Sequence, residues 1–169
     1  MNYKTVLLNG DHKKDQFLCG QNLLDTYLHK QAKQDSKRYI TACFVMAGIH
    51  NEVKGYYTLS NSSIAKDFIP DALRNKLPPS YIDLPVTLLG RLARDKQFSG
   101  EGLGEILLLD ALKRSYDASL TIGSMAVIVD PINDFAISFY TKYGFVYLHD
   151  KAKMFLSMKL IAELFKNFT

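Results

Sequence analysis

The sequence predicts a mixed α/β fold, and three patterns carry that expectation. Apolar residues recur at helical spacing near residues 20–35. Two β-rich runs flank a His50-Asn51 turn, as in a hairpin. The stretch from Leu89 to Leu112 reads as a buried strand, a glycine-rich turn and then a helix. At 169 residues, 47% of them hydrophobic, the chain suits one domain with a substantial core. It has no internal repeat, low-complexity tract or linker-like composition.

The elements follow in order. Leu23, Leu24, Tyr27, Leu28, Gln31 and Ala32 share one face of the first helix. Residues 41–49 and 53–60 are the hairpin strands. Residues 67–79 carry three prolines among polar residues and predict an irregular segment with a short helix at 71–76, bordering the substrate cleft. Residues 84–93 are nearly continuously apolar, as a central strand is. The helix after the glycines is apolar around much of its circumference, which predicts deep burial. Residues 125–129 form another strand. Asp130 or Asn133 can cap the helix that follows, and Gly144 stands where that helix would end. Residues 145–148 and 154–158 read as closing strands, and 161–168 as a terminal helix.

Gly100, Gly102 and Gly104 fall where the turn becomes the helix. A helix N-terminus offers unpaired N–H groups and partial positive charge, and glycine lets an anion approach the backbone closely. Residues 97–104 therefore read as a main-chain pyrophosphate cradle, with a merely flexible turn as the alternative. A P-loop would place Lys-Ser/Thr after its last glycine, where this chain has Glu105. The G-x-G-x-x-G of a dinucleotide fold is absent here too, because the spacing is G-x-G-x-G.

Gln97-Phe98-Ser99-Gly100-Glu101-Gly102 resembles the Gln/Arg-x-x-Gly-x-Gly/Ala acyl-CoA motif of the GCN5-related N-acetyltransferases (GNAT). Downstream, the run from Asn133 through Ala136, Phe139 and Tyr140 to Gly144-Phe145 is similar to that family's N-x-x-A-x-x-F-Y-x-x-x-G-F segment. Further stretches extend the likeness along nearly the whole chain: Phe17-Leu18-Cys19-Gly20, Leu24-Asp25 with Tyr27-Leu28, Cys43-Phe44-Val45, residues 55–60 and Leu88-Leu89-Gly90-Arg91-Leu92-Ala93. They resemble the acetyltransferase toxins of bacterial type II toxin–antitoxin modules. One departure is Arg94, where the family usually has an aliphatic residue.

The resemblance implies a single domain over residues 1–169, an α/β (α+β) GNAT fold with a central mixed, mostly antiparallel sheet flanked by helices. It implies acetyl-CoA as co-substrate, no metal, and acetylation of the α-amine of aminoacyl-tRNA, which blocks translation. A ribbon-helix-helix antitoxin is the implied partner, and a homodimer the implied assembly. By the same resemblance, Leu92, Ala93 and Arg94 bind pantetheine through their backbones, and Asn133 reaches the pantetheine arm. Gln97, Phe98, Ser99, Gly100, Glu101, Gly102, Leu103 and Gly104 hold the pyrophosphate.

Acetyl transfer to an amine needs a neutral amine, donors for the thioester oxygen and a proton for the leaving thiolate. Tyr140 is the proton donor that the resemblance implies; helix spacing alone would equally let it pack beside Phe139 and Tyr143. A phenol with a pKa of roughly 10 keeps its proton at pH 7. No histidine among His12, His29, His50 and His149 stands out as a base. An α-amine, with a reference pKa of about 7.7–8.0, needs little help. Cys19 and Cys43 form no disulfide framework and read as reduced thiols, with direct transfer preferred over a thiol nucleophile.

The net charge is +4, a mild excess of cations. Lys30, Lys33, Lys37 and Arg38 cluster within nine residues. They are either a solvated helix face near its C-terminal end or, within the resemblance, a tRNA-binding surface. Arg91 would contact a tRNA phosphate or pair with a carboxylate. No apolar run approaches the roughly 20 residues of a membrane span, and the N-terminal apolar patch is too short for a signal peptide. The expectation is a cytoplasmic protein without a membrane partner. Two other functions share these features: a small-amine or protein N-terminal acetyltransferase of the same fold, and a CoA-binding regulatory protein without catalysis.

Overall fold

The computed structural model describes residues 3–148 and 152–166. Its strands form a seven-stranded sheet in the order β1-β2-β3-β4-β5-β7-β6. These are β1 (Val6–Leu7), β2 (Ala42–Ala47), β3 (Val53–Ala65), β4 (Asp83–Arg94), β5 (Ala126–Val129), β6 (Val146–Tyr147) and β7 (Met154–Ser157). The pairs β1–β2, β2–β3, β5–β7 and β6–β7 are antiparallel, and β4 pairs β5 in parallel. A parallel neighbour requires a crossover connection, and here that connection contains α4 (Leu103–Ser119).

The chain divides into two compact units. One holds the described residues up to Ser60 together with Leu89–Arg114. Its first helix runs as α1 (Asn22–Thr26), a π turn (Tyr27–Gln31) and α2 (Ala32–Lys37). Helical periodicity predicts this span but not the π turn, in which the Ala32 N–H reaches back five residues to the Tyr27 carbonyl. Leu24, Tyr27, Leu28 and Ala32 are buried as predicted, whereas Leu23 is 72% exposed and Gln31 faces solvent. The buried face packs with Phe17, Cys43, Tyr56 and Ala93 into one apolar cluster. Tyr56 lies at its centre, with its ring edge-on to Phe17 and its hydroxyl donating to the Leu24 carbonyl at 2.7 Å.

The hairpin is present with a longer second strand than expected, because β3 continues past Ser60 to Ala65. Its turn occupies residues 48–52, with Asn51 at a φ of 62°, a conformation that asparagine tolerates. The short edge strand β1 goes beyond the sequence expectation. In α4, Leu103, Leu107, Leu108, Ala111 and Leu112 are buried, but Ile106 is 37% exposed, so the helix is amphipathic rather than buried all round. Asp110 on its inner side accepts from Thr5 Oγ1 at 2.6 Å, Tyr57 Oη at 2.7 Å and the Lys4 N–H at 2.6 Å. Arg114 donates from Nε to the same phenol at 3.0 Å and stacks on Phe44. That network satisfies a carboxylate which would otherwise be costly to bury.

The second unit holds Asn61–Leu88 and the described residues from Ser115 onward. Residues 66–68 make a 3₁₀ turn, and α3 (Asp71–Arg74) is shorter than predicted. Strand β5 is buried at all four positions, and Ile64, Ile69, Val86 and Phe155 pack with it. Helix α5 (Asp134–Lys142) follows, then the closing strands and α6 (Met158–Lys166), which starts three residues before the predicted helix. His149 and the predicted helix end at Phe168 lie outside the described residues. Among the described residues, no helix is long and apolar enough to cross a membrane.

Candidate active site

The glycine turn is built at the end of β4. Leu92 and Arg94 lie on one face of the strand and are half-buried; Ala93, on the other, joins the apolar cluster. Asp95 then turns the chain. Its carboxylate is buried, with Oδ1 accepting the Gln97 N–H at 2.8 Å and Oδ2 the Leu18 N–H at 2.9 Å. The first bond caps the 3₁₀ turn at Lys96–Phe98, and the second anchors it to the segment before α1. The Lys54 ammonium lies over the Phe98 ring at 4.8 Å. In the sequence, the only signal of Asp95 is that of a capping-type aspartate ahead of Lys-Gln.

Gln97, Ser99, Gly100, Glu101 and Gly102 are exposed, Phe98 is half-buried, and Leu103 is buried as the first residue of α4. Gly100 and Gly102 adopt φ of +86° and +71°, which L side chains rarely reach. Open space lies where a Cβ would project from either one. Gly104 sits in the first turn of α4, whose leading N–H groups have no acceptor within the helix. The shape matches a main-chain cradle for an anion such as the pyrophosphate of CoA.

The other candidate residues sit on α5. Asn133 caps it, with Oδ1 accepting the Ala136 N–H at 2.9 Å, which leaves its amide nitrogen as the donor. Tyr140 lies seven residues on, two turns along the same face, about 10 Å away by helical rise. Its ring is buried against Phe139 at 5.3 Å and Phe145 at 5.2 Å, and burial pushes its phenol pKa upward. The helix ends in a Schellman closure: Gly144 takes φ +90° and donates to the Thr141 carbonyl, and Phe145 donates to that of Tyr140. The predicted cap and the predicted terminal glycine are both in place. Near this end, Ala72, Leu73 and Lys76 from the proline-bearing segment line a cavity of about 260 Å³ with Gly144, Val146 and Leu160.

Lys30, Lys33, Lys37 and Arg38 are all exposed and carry no ion pair among the described residues. Arg91 pairs with no carboxylate among the described residues. Its guanidinium stacks 3.5 Å above the Tyr27 ring, and the Tyr27 hydroxyl in turn donates to Asp35. Stacking uses the flat face of the guanidinium, so its N–H edge stays available. Burial pushes the Cys19 thiol up to about 11 and the Cys43 thiol up to about 12, which keeps both protonated and poorly nucleophilic. His29 donates from Nε2 to the Phe17 carbonyl, and His12 accepts at Nδ1 from Asn9, so each has a structural task.

No family model matches the chain. A tRNA-acetylating toxin from Mycobacterium tuberculosis (strain ATCC 25618 / H37Rv) is 36% identical over 129 residues, covering 76% of this chain and 75% of that protein. The chain belongs to the tRNA-acetylating toxin family. Solved structures extend the family likeness to almost every residue. A tyrosine-to-phenylalanine mutant of KacT matches with a TM-score of 0.88 at 28% identity, over 98% of this chain and 100% of that one. AtaT complexed with acetyl-methionyl-tRNAfMet matches with a TM-score of 0.88 at 27% identity, over 97% and 99%. AtaTR bound with AcCoA matches with a TM-score of 0.82 at 28% identity, over 95% and 96%. The tRNA-acetylating toxin family thus shares this chain's mixed sheet and flanking helices.

Proposed function

We propose that this protein is the toxin of a type II toxin–antitoxin pair, an acetyl-CoA-dependent enzyme that acetylates the α-amine of aminoacyl-tRNA and so blocks translation. The single observation carrying this reading is the 36% identity to a tRNA-acetylating toxin over three quarters of both chains. The open, positive-φ turn at Gly100 and Gly102 supports it chemically, because it fits a CoA pyrophosphate. The reading takes the chain as one domain working in the cytoplasm, where charged tRNA is found. It also includes a ribbon-helix-helix antitoxin and a homodimeric state; AtaT has been solved with the C-terminus of the antitoxin AtaR.

When bound, acetyl-CoA supplies an acetyl group activated as a thioester. The backbone of Leu92, Ala93 and Arg94 holds the pantetheine, and the N–H groups of residues 97–104 hold the pyrophosphate. Because the main chain does this work, an arginine at position 94 is compatible with it. The Asn133 amide nitrogen, free of the capping bond, donates to the pantetheine arm. Tyr140 holds a proton throughout the physiological range and gives it to the departing sulfur as the carbon–sulfur bond breaks and the carbon–nitrogen bond forms. Solvent takes the proton lost by the amine and restores the phenol. The protonated Cys19 and Cys43 favour direct transfer over an acyl-enzyme route. The cations of the first helix and the edge of Arg91 receive the tRNA phosphates. KacT and AtaT have each been solved as a tyrosine-to-phenylalanine mutant.

The test is acetyl transfer from labelled acetyl-CoA to total charged tRNA, with deacylated tRNA and Tyr140→Phe as controls. Label confined to charged tRNA and lost with Tyr140→Phe is the expected result. Label on free amines or protein without RNA moves the function to a small-amine or N-terminal acetyltransferase. Acetyl-CoA binding without any transfer leaves a regulatory protein.

A further inference from the structure

The chain carries a second Schellman closure, at the end of α2, and it is built from the wrong residue. The Ile40 N–H donates to the Asp35 carbonyl at 3.0 Å and the Tyr39 N–H to that of Ser36 at 3.1 Å. This matches the closure after α5, where glycine takes the left-handed position. Here Tyr39 takes it, at φ 57°. A bulky L residue is strained in that conformation, where glycine would not be. The side chain gains nothing in exchange within the chain, because Tyr39 is 96% exposed. An aromatic ring is thus held out into solvent at the end of a helix that presents Lys30, Lys33, Lys37 and Arg38.

We propose that Tyr39 is a base-stacking platform for the tRNA substrate, set at the end of a track of phosphate-binding cations. The inference rests on the aminoacyl-tRNA reading above. From Lys30 to Arg38 the helix rises roughly 12 Å, about the run of three to four phosphates along one strand of a duplex. Cations at that spacing follow a backbone without reading its sequence, while an aromatic face takes any unpaired base. Together they fit the junction where an RNA duplex gives way to single strand, which every tRNA has at its acceptor end. An acidic peptide would use the cations but would have no use for an exposed, strained ring.

The chain has no tryptophan, which makes the experiment direct. Binding of total charged tRNA is measured for the wild type, Tyr39→Gly, Tyr39→Phe and Tyr39→Trp. Tyr39→Gly should weaken binding about tenfold, the low end of what losing one stacked base costs, with Tyr39→Phe matching the wild type. The Tm of Tyr39→Gly should hold or rise because glycine relieves the backbone, so weaker binding with an undiminished Tm is not unfolding. The lone indole of Tyr39→Trp should be quenched as tRNA saturates the protein. If the wild type binds and acetylates charged tRNA while Tyr39→Gly binds it equally well, the stacking role is overturned and the enzymatic reading stands. If the variants lose affinity for an acidic antitoxin peptide but not for tRNA, the face belongs to the peptide and the proposal fails. A wild type that neither binds nor acetylates tRNA removes both readings.

Discussion

The Phe145 ring packs 5.2 Å from the Tyr140 ring while the Phe145 backbone N–H donates to the Tyr140 carbonyl at 3.2 Å. Both contacts depend on Gly144 taking φ +90° between them. The spacing of Tyr140, Gly144 and Phe145 in the sequence is therefore the spacing of a helix closure. The last turn of α5 is fixed by its own C-cap, and the phenol is fixed with it.

Gly144→Ala tests that dependence. The nearest side-chain atom to an added Cβ is Leu156 Cδ1 at 3.6 Å, so the obstacle is conformation rather than crowding. Forcing an L residue into the left-handed region costs roughly 1–2 kcal/mol. Thermal melting should show a Tm lowered by several degrees, with kcat falling further than stability alone explains. An unchanged kcat would mean that the phenol is positioned by other contacts.

Tyr140→Phe keeps the ring and its packing and removes only the hydroxyl. Its Tm should stay close to that of the wild type while kcat falls by about 10²–10⁴, the range for a lost general acid. Equal kcat in the two proteins would show that the sulfur leaves without help from this residue.

Asp95→Ala removes the acceptor of two backbone N–H groups, those of Gln97 and Leu18. Hydrogen bonds to a charged partner are worth about 1.5–3 kcal/mol, so chemical denaturation should show a clear loss. The glycine turn follows directly, so KM for acetyl-CoA should rise more than kcat falls. Asp95→Asn, which retains one carbonyl acceptor, should sit between the two proteins on both measures.

Alkaline pH should weaken the fold. Burial raises the phenols of Tyr27, Tyr56, Tyr57 and Tyr140 above their ordinary range. Raised folded values mean that the native state holds protons the unfolded chain gives up. Stability is then complete below about pH 10, where unfolded tyrosine titrates, and declines as pH climbs above it. Urea midpoints between pH 8 and 11 should fall only in the upper part of that range. Activity should show no alkaline limb from Tyr140 below pH 10.

With Cys19 raised to about 11, roughly one molecule in a thousand carries its thiolate at pH 8. Ellman's reagent should react slowly with the native protein and rapidly once it is unfolded. Cys19→Ala should acetylate at the wild-type rate; a collapse of transfer would restore the acyl-enzyme route.

The sequence made the glycine turn, the Asn133 cap and the Gly144 closure legible because each is a local device with its signature inside a few residues. The order of the helices and strands after β1 was legible for the same reason. The stack of Arg91 on Tyr27 has no local signature, because the two residues are 64 positions apart and the contact needs both β4 and the first helix in place. Asp95 was hidden because one of its two bonds reaches back to Leu18. Tyr39 gave no signal at all, since a left-handed tyrosine is invisible without backbone angles.

The wide turn at Tyr27–Gln31 has a bearing on how this helix tolerates change. Each residue of an α-helix sweeps about 100° around its axis, so one residue gained or lost re-aims everything beyond it. The π turn acts as the slack in a gear train, setting the phase between the half that carries Leu24 and the half that carries Lys33 and Lys37. A single deletion within it would leave both halves helical and both sets of residues intact. Because the wide turn holds one residue more than an α turn, that deletion would close it to an ordinary turn and keep the basic stripe near its present phase, whereas the same deletion in α2 would re-aim the residues beyond it by about 100°, though residue-by-residue identity would record either as one gap.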